Sequence, residues 1–216
     1  MRADAFSHLP ASLERAPLLL AHTDRSPDYV TGADGVQQQQ PAADSPLAKL
    51  ASTPKLHEKG SPAMRLKALG ISLEGRASTP IGNYVPAVLT GDILTISGQL
   101  PKAADGTVAT GQVGDGDGFV SVEDGQKAAR EAAITLLATV ESLVGDLSKV
   151  KRIVRIGGFV SAPAGFTQQP DVINGCSDFL REVFGDAGRS ARSAVGVSSL
   201  PMNAVCELEA TVQIIL

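Results

Sequence analysis

Histidine is scarce in this 216-residue sequence, and tryptophan is absent. The three histidines, His8, His22 and His57, all lie near the start of the chain. A domain that begins after them has no histidine, which excludes Ser-His-Asp triads, Cys-His dyads and histidine-based zinc sites. Any catalysis there must use arginine, carboxylates, tyrosine, serine, cysteine or the backbone.

Cysteine is also rare, since the chain contains two, Cys176 and Cys206, which form no CxxC motif. This argues against a disulfide scaffold and favours a reducing compartment, so we expect a cytoplasmic protein. A mitochondrial location is the alternative, but acidic residues are spread through residues 1–63, whereas transit peptides are poor in them. Both cysteines fall on apolar faces of predicted elements, which predicts buried, inert thiols.

Long apolar runs and clusters of basic residues are missing too. No apolar run approaches the roughly 20 residues of a membrane-spanning helix, so we expect no membrane association. The net charge is −4 at pH 7, and lysine and arginine are scattered along the chain. A nucleic-acid-binding surface needs these residues clustered, so we expect no nucleic-acid partner.

The segment Gly114–Gly118, GDGDG, has the aspartate spacing with which a calcium-binding loop begins. Counting from Asp115, Val120 replaces the glycine of the sixth position and Gln126 replaces the glutamate of the twelfth. The EF-hand pattern therefore fails. We predict a surface loop without a metal ion.

The sequence changes in composition and periodicity between residues 1–63 and residues 64–216. The first segment contains a run of four glutamines at residues 37–40 and many prolines, serines and aspartates without sustained periodicity. This composition predicts a disordered low-complexity extension. The folded domain is expected to cover residues 64–216.

Periodicity and turn residues divide the domain into helices and strands. The predicted elements are a short helix from Met64 to Gly70, a two-stranded hairpin around Thr90–Asp92, a helix from Ser121 to Gly145, a strand from Val150 to Ser161, a helix from Pro170 to Gly185, a strand from Arg192 to Val197 and a strand from Ala204 to Ile215. The order β-β-α-β-α-β-β after the short helix predicts an α+β fold rather than a doubly wound sheet. Two helices can then cover one face of the sheet.

The last predicted strand alternates strictly between apolar and other residues. Cys206, Leu208, Ala210, Val212 and Ile214 share one face, and Val205, Glu207, Glu209, Thr211 and Gln213 share the other. The face with the glutamates is either solvated or in contact with other subunits. A carboxylate there could also hold a water molecule and accept its proton, and spacing alone does not decide.

The stretch ARSAVGVSSLP, Ala191–Pro201, places Arg192 at the head of an apolar run that is typical of a buried strand. One interpretation of this arginine is a structural ion pair with Glu207 or Glu209. The other is an anion clamp, because a guanidinium binds a carboxylate through two parallel hydrogen bonds. Arg189 is a competing candidate for the clamp.

Three stretches carry a family likeness. In chain order they are GNYVPAVLTGDILTISGQLP, VGDLSKVKRIVRIGGFV and ARSAVGVSSLPMNAVCELEA. Between Gly82 and Leu216 the chain resembles the Rid/YjgF family, the imine and enamine deaminases long labelled "endoribonuclease L-PSP". The resemblance implies a chorismate-mutase-like α+β subunit with a mixed sheet, assembled as a homotrimer with active sites between neighbours, and no metal or organic cofactor.

The resemblance also implies roles for individual residues. Arg192 matches the arginine that grips the substrate carboxylate, and Glu207 matches the glutamate assigned to the attacking water. The matching residues that line the substrate pocket are Tyr84, Ser97, Gly98, Asn174 and Ala194. Many members have cysteine where this chain has Ala194, and that contact uses the backbone. For Tyr84, Ser97 and Asn174, packing or capping is the alternative role.

Three functions follow as hypotheses. The resemblance implies hydrolysis of small 2-imino acids, or their 2-aminoacrylate-type enamine tautomers, to 2-oxo acids and ammonia. A non-catalytic binding module for small carboxylate metabolites is the main alternative. RNA cleavage follows from the older family label, but the lack of histidine in the domain and the acidic balance oppose it.

Overall fold

The computed structural model describes residues 60–216, so most of the predicted extension lies outside the described residues. The first element, α1, spans Pro62–Ala68 and therefore begins two residues before the expected start at Met64. The hydroxyl of Ser61 caps it by accepting a hydrogen bond from the Met64 backbone N–H at 3.3 Å. Proline fits the first turn of a helix because its missing N–H has no partner there.

The remaining elements follow the predicted order closely. They are β1 (Ala87–Thr90), β2 (Ile93–Gln99), α2 (Val122–Val144), β3 (Val150–Ser161), α3 (Gln169–Phe184), β4 (Ala191–Val197) and β5 (Cys206–Ile214). Short 3₁₀ turns precede β3, β4 and β5. The predicted α+β class and the order of strands and helices are confirmed.

The five strands form one mixed sheet in the order β1-β2-β5-β3-β4. The β3–β4 pair is parallel, with α3 as its crossover, and the other three pairs are antiparallel. Strand β4 lies at an edge of the sheet, and Val195 on it is 45% exposed. The interpretation of this run as a buried strand is therefore wrong for the single chain, because one side of β4 has no neighbouring strand within residues 60–216.

Helices α2 and α3 pack side by side on one face of the sheet, as predicted. Helix α2 begins at the capping residue Ser121, whose hydroxyl accepts from the Asp124 backbone N–H at 3.0 Å. It ends at Gly145, which adopts the left-handed conformation. A β-carbon on Gly175 of α3 would stand 2.0 Å from the Gln126 carbonyl oxygen of α2, so the two helix backbones meet directly.

The predicted alternation along β5 is also confirmed. Cys206, Leu208, Ala210, Val212 and Ile214 are buried under the helices, whereas the residues between them are half-buried on the opposite face. The placement of Val205 on that face is wrong, because Val205 precedes the strand and is buried. We call that opposite face, which no element of residues 60–216 covers, the open face of the sheet. Arg155 and Glu209 form an ion pair on it, with 2.9 Å between Nη1 and Oε1.

The segment between β2 and α2 packs against the ends of the central strands. The Val113 backbone N–H donates to the Ser161 carbonyl at 2.8 Å, and the Val205 N–H donates to the Ala109 carbonyl at 3.0 Å. Val113 itself is fully buried. Within this segment the residues Asp115–Gly118 are exposed, as predicted for a surface loop.

A buried arginine joins the chain before β1 to helix α2. Arg76 is 7% exposed, and its guanidinium donates to Glu131 on α2 and to the Lys102 carbonyl. Its Nε has no hydrogen-bond partner within residues 60–216. None of the helices within residues 60–216 combines the length and hydropathy that a membrane span requires.

Candidate active site

Arg192 lies on the helix side of the edge strand β4. It pairs across the strands with Ile156, which is fully buried under the helices. Its Nη1 donates to Asn174 Oδ1 and to Ser177 Oγ, both at 2.9 Å, and Nη2 donates to the Pro170 carbonyl at 3.4 Å. All three acceptors belong to α3 and are uncharged.

The predicted alternative of an ion pair between Arg192 and a glutamate of β5 is wrong. Glu209 pairs with Arg155 instead, and within residues 60–216 no carboxylate lies within salt-bridge distance of Arg192. The physical reason is the strand register, because Arg192 points to the helix side while both glutamates point to the open face.

The hydrogen bonds of Arg192 leave part of its guanidinium available. A guanidinium carries five N–H donors in a fixed plane. Both Nη1 donors are used by Asn174 and Ser177, whereas Nε and one Nη2 donor bond to none of the residues 60–216. The Nε–Nη2 edge has the fork geometry that binds a carboxylate with two hydrogen bonds. The contacts with α3 therefore orient Arg192 and leave Nε and one N–H of Nη2 without a partner among residues 60–216.

A cavity of about 310 Å³ opens beside Arg192 at the end of β4. Its lining consists of Ser177, Asp178, Arg181, Gly188, Arg189, Ser190 and Arg192. We call it the arginine cavity. Arg189, the competing candidate for the clamp, lies in the same lining as Arg192. Ala194 lies two residues further along β4 on the same face, partly buried against the core.

The two cysteines are buried and free, as predicted. Burial raises the pKa of the Cys176 thiol to about 12, although the positive charge of Arg192 opposes this effect. Burial, with smaller contributions from Cys176 and Glu207, raises the pKa of Cys206 as well. Both thiols stay protonated at neutral pH, so neither can act as a nucleophile.

Glu207 lies on the open face, half-buried, with its carboxylate against the backbone of β2. A β-carbon on Gly98 would stand 1.7 Å from Glu207 Oε1, so this carboxylate occupies the space that the missing side chain leaves. The register of β2 against β5 shifts between Ile96 and Gln99, and Gly98 lies in this bulge. Burial, and secondarily the negative charge of Glu209, raise the pKa of the Glu207 carboxyl.

Ser97 precedes Gly98 on β2, and Tyr84 lies in the segment before β1. The Ser97 hydroxyl donates to the Val85 carbonyl at 2.7 Å, which ties the segment before β1 to β2. Tyr84 precedes Val85 and is 50% exposed, with its ring against Gly82. Gln99 is buried, accepts from the Thr139 hydroxyl at 2.9 Å and donates to the Ser97 carbonyl at 3.0 Å. It supports the bulge from the helix side.

The predicted site residues thus form two separate groups in one chain. Arg192, Asn174 and Ala194 lie on the helix side at the β4 edge, and Glu207 and Gly98, with Ser97, lie at β2 and β5. Phe159 of β3 pairs with Glu207 on one side and with Val195 of β4 on the other. Glu207 therefore lies two strands away from β4, at the level of a residue three positions after Arg192. The Cα atoms of Arg192 and Glu207 are therefore about 14 Å apart, with side chains on opposite faces.

Ser177 is a residue of this site that sequence reasoning missed. It binds the same guanidinium nitrogen as Asn174, from a position three residues later on α3. Residues three apart lie on one face of a helix, so Ser177 could have been predicted from the candidate position of Asn174.

The comparisons with known proteins agree with this fold. A family described as "YjgF/chorismate_mutase-like, putative endoribonuclease" matches residues 63–213, so the match begins before Gly82 and includes most of α1. Protein TCP17 of Trypanosoma cruzi is 43% identical over 72% of this chain and 95% of its own length.

Two solved structures are similar in both sequence and fold. The protein Atu1372 of Agrobacterium tumefaciens, of unknown function, is 42% identical with a TM-score of 0.63, covering 71% of this chain and 92% of that protein. A Shewanella oneidensis MR-1 protein described as a "putative endoribonuclease" is 31% identical with a TM-score of 0.67, covering 72% of this chain and 100% of that protein. The chain belongs to the YjgF/chorismate-mutase-like family, the Rid/YjgF family that its three motifs resemble.

Proposed function

We propose that this protein hydrolyses reactive 2-imino acids, or their 2-aminoacrylate-type enamine tautomers, to 2-oxo acids and ammonia. The observation that carries the proposal is the set of hydrogen bonds that Arg192 makes. Neutral oxygens of Asn174, Ser177 and Pro170 orient its guanidinium, and within residues 60–216 Nε and one N–H of Nη2 have no partner and can bind a ligand. An oriented guanidinium without an acidic partner is complementary to a carboxylate, the group that all these substrates share.

Glu207 supplies the general base. Burial, and secondarily Glu209, raise the pKa of its carboxyl, which makes the carboxylate a better proton acceptor than that of an ordinary glutamate. It accepts a proton from water as the water oxygen bonds to the imine carbon and the C=N π-electrons pass to nitrogen, which takes up that proton. An enamine first gains a proton at carbon and loses one from nitrogen to become the imine.

The second half of the reaction uses the same carboxylate. Glu207 accepts the hydroxyl proton of the carbinolamine, the carbonyl forms and the C–N bond breaks. The departing nitrogen takes this proton and leaves as ammonia. Hydrolysis of an imine needs neither a metal ion nor an organic cofactor, and we propose none.

A substrate that meets both Arg192 and Glu207 must contact two chains. The two side chains point from opposite faces of one sheet, so no small molecule spans them within a chain. A head-to-tail interface that closes into a ring would bring the β4 edge of one subunit to the open face of the next. We therefore propose a homotrimer with its sites between neighbours, in accordance with the family resemblance.

The proposed compartment is the cytoplasm, with the mitochondrion as the alternative. Cys176 and Cys206 are both free and buried, which suits a reducing environment.

A coupled assay tests the proposed activity. An amino-acid oxidase generates a 2-imino acid from the corresponding amino acid, and the loss of the imine is followed with and without the protein. We expect strong acceleration by the wild type and a loss of about 100-fold or more in kcat/KM for Arg192→Ala and for Glu207→Gln. Lys127→Ala, which removes an exposed positive charge on α2, is the matched control and keeps full activity.

Two results would overturn the proposal. One is a wild-type protein that leaves the imine lifetime unchanged; binding of 2-oxo acids without turnover would then indicate the metabolite-binding module. The other is full activity in Arg192→Ala.

A further inference from the structure

Three guanidiniums that have no acidic partner in the described part of the chain line the arginine cavity. Within residues 60–216, Arg76, Arg130 and Arg155 each form an ion pair with a glutamate. Arg181, Arg189 and Arg192 form none, although all three line one cavity of about 310 Å³. Among the described residues of that lining, Asp178 is the only acidic one. Three positive charges against one negative charge make this cavity complementary to an anion.

The backbone holds these residues together. A β-carbon on Gly188 would stand 2.1 Å from the Leu180 carbonyl oxygen, so the turn before β4 packs directly on the backbone of α3. No larger residue fits at Gly188 without moving the turn. This contact places Arg189 beside the part of α3 that carries Ser177 and Arg181.

Ser177 connects the cavity with the proposed carboxylate clamp. Its hydroxyl accepts from Arg192 Nη1 at 2.9 Å, and the residue itself lines the cavity. Arg192 lines this cavity together with Arg181 and Arg189, so a substrate held at Arg192 by its carboxylate can extend toward the other two arginines. Short apolar imino acids leave these two charges without a partner, whereas a second anionic group satisfies them.

Resting on the proposed deaminase function, we propose that the arginine cavity binds a second anionic group of the substrate. The substrate class is then the acidic 2-imino acids, which carry a carboxylate or a phosphate on the side chain. Arg181 and Arg189 determine this specificity. Both side chains are exposed, so solvent and salt weaken the interaction, and the preference declines as ionic strength rises.

Calorimetric titration of the full-length protein with 2-oxo acids, the products of the reaction, tests this specificity. We expect 2-oxoglutarate to bind about tenfold more tightly than 2-oxobutanoate, since charge-assisted hydrogen bonds add to the clamp. Phosphohydroxypyruvate is the second probe and distinguishes a phosphate from a carboxylate as the preferred group. Arg189→Ala and Arg181→Ala should each lower the preference, and the double variant should abolish it. Lys127→Ala, with the same loss of charge elsewhere, should retain it.

Equal affinity of the wild type for all three probes would overturn the inference, as would a preference that survives in the double variant. These outcomes are separable from failure of the proposed function. If the protein hydrolyses a monocarboxylate imine but binds the probes with a second anionic group no more tightly, only the specificity inference is wrong. If these probes bind more tightly through Arg189 but no imine is hydrolysed, the deaminase proposal is wrong and the anion site stands.

Discussion

The Glu207 carboxylate lies directly against the α-carbon of Gly98, where a β-carbon would be 1.7 Å from Oε1. The β2 bulge thereby determines where the carboxylate stands. The same open face contains a second contact of this kind, in which a β-carbon on Gly157 would stand 2.6 Å from Glu209 Oε1. The two glycines form a matched pair, one beside the proposed base and one beside its neighbour.

Gly98→Ala should lower kcat of imine hydrolysis by about tenfold or more, because the added methyl displaces the Glu207 carboxylate from its position. The displaced atoms are the end of a flexible side chain, so the melting temperature should change little. Gly157→Ala makes the same addition beside Glu209 and should keep most of the activity. Equal activity losses in the two variants would contradict a special role for Glu207.

The contacts of Asn174 and Ser177 with Arg192 should appear in substrate affinity. Asn174→Ala and Ser177→Ala each remove one acceptor that orients the guanidinium, so each should raise KM by about three- to tenfold with a smaller effect on kcat. In the Arg192→Ala background neither substitution should have a further effect. Additive losses in that double-mutant cycle would show that the two residues act independently of Arg192.

The pH dependence of kcat/KM should reflect the raised pKa of Glu207. The base is active when ionised, so kcat/KM falls as pH decreases through this pKa, at a higher pH than an ordinary glutamate would give. Glu209→Gln removes a neighbouring negative charge, which should move the fall to lower pH. Glu123→Gln, an exposed acid at the start of α2, should leave the profile unchanged. A profile that responds equally to both substitutions would argue against Glu207 as the base.

Arg76→Ala should destabilise the fold by about 1–3 kcal/mol, because it removes hydrogen bonds to Glu131 and to the Lys102 carbonyl at a buried position. Water can solvate the partly exposed Glu131 carboxylate in the variant, which limits the loss of stability. Urea unfolding measures the change. Arg152→Ala, an arginine without an ion pair within residues 60–216, should stay within about 0.5 kcal/mol of wild type. A similar value for Arg76→Ala would contradict a structural role.

Local patterns predicted the elements well because their signals are contained within a few residues. The cap at Ser121 and the stop at Gly145 are side-chain and backbone preferences of single positions, and they bound α2 as expected. The alternation along β5 predicted both of its faces, because one face is uniformly apolar.

Long-range relationships were not predictable in the same way. The two-residue period puts Arg192 and Ala194 on one face of β4, but which face this is depends on pairing with β3. The edge position of β4 depends on the order of all five strands. The ion pair of Arg76 joins residues 55 positions apart, and neither residue carries a local signal for the other.

Complementation between two inactive variants tests the central claim most directly. Arg192→Ala and Glu207→Gln are coexpressed in equal amounts, and the pool is assayed for imine hydrolysis. If each site takes Arg192 from one chain and Glu207 from the next, random assembly should leave about a quarter of the sites intact and restore about a quarter of wild-type activity. Arg192→Ala coexpressed with the Arg192→Ala/Glu207→Gln double variant is the control and should stay inactive. A pool as inactive as either variant alone would contradict a site shared between chains.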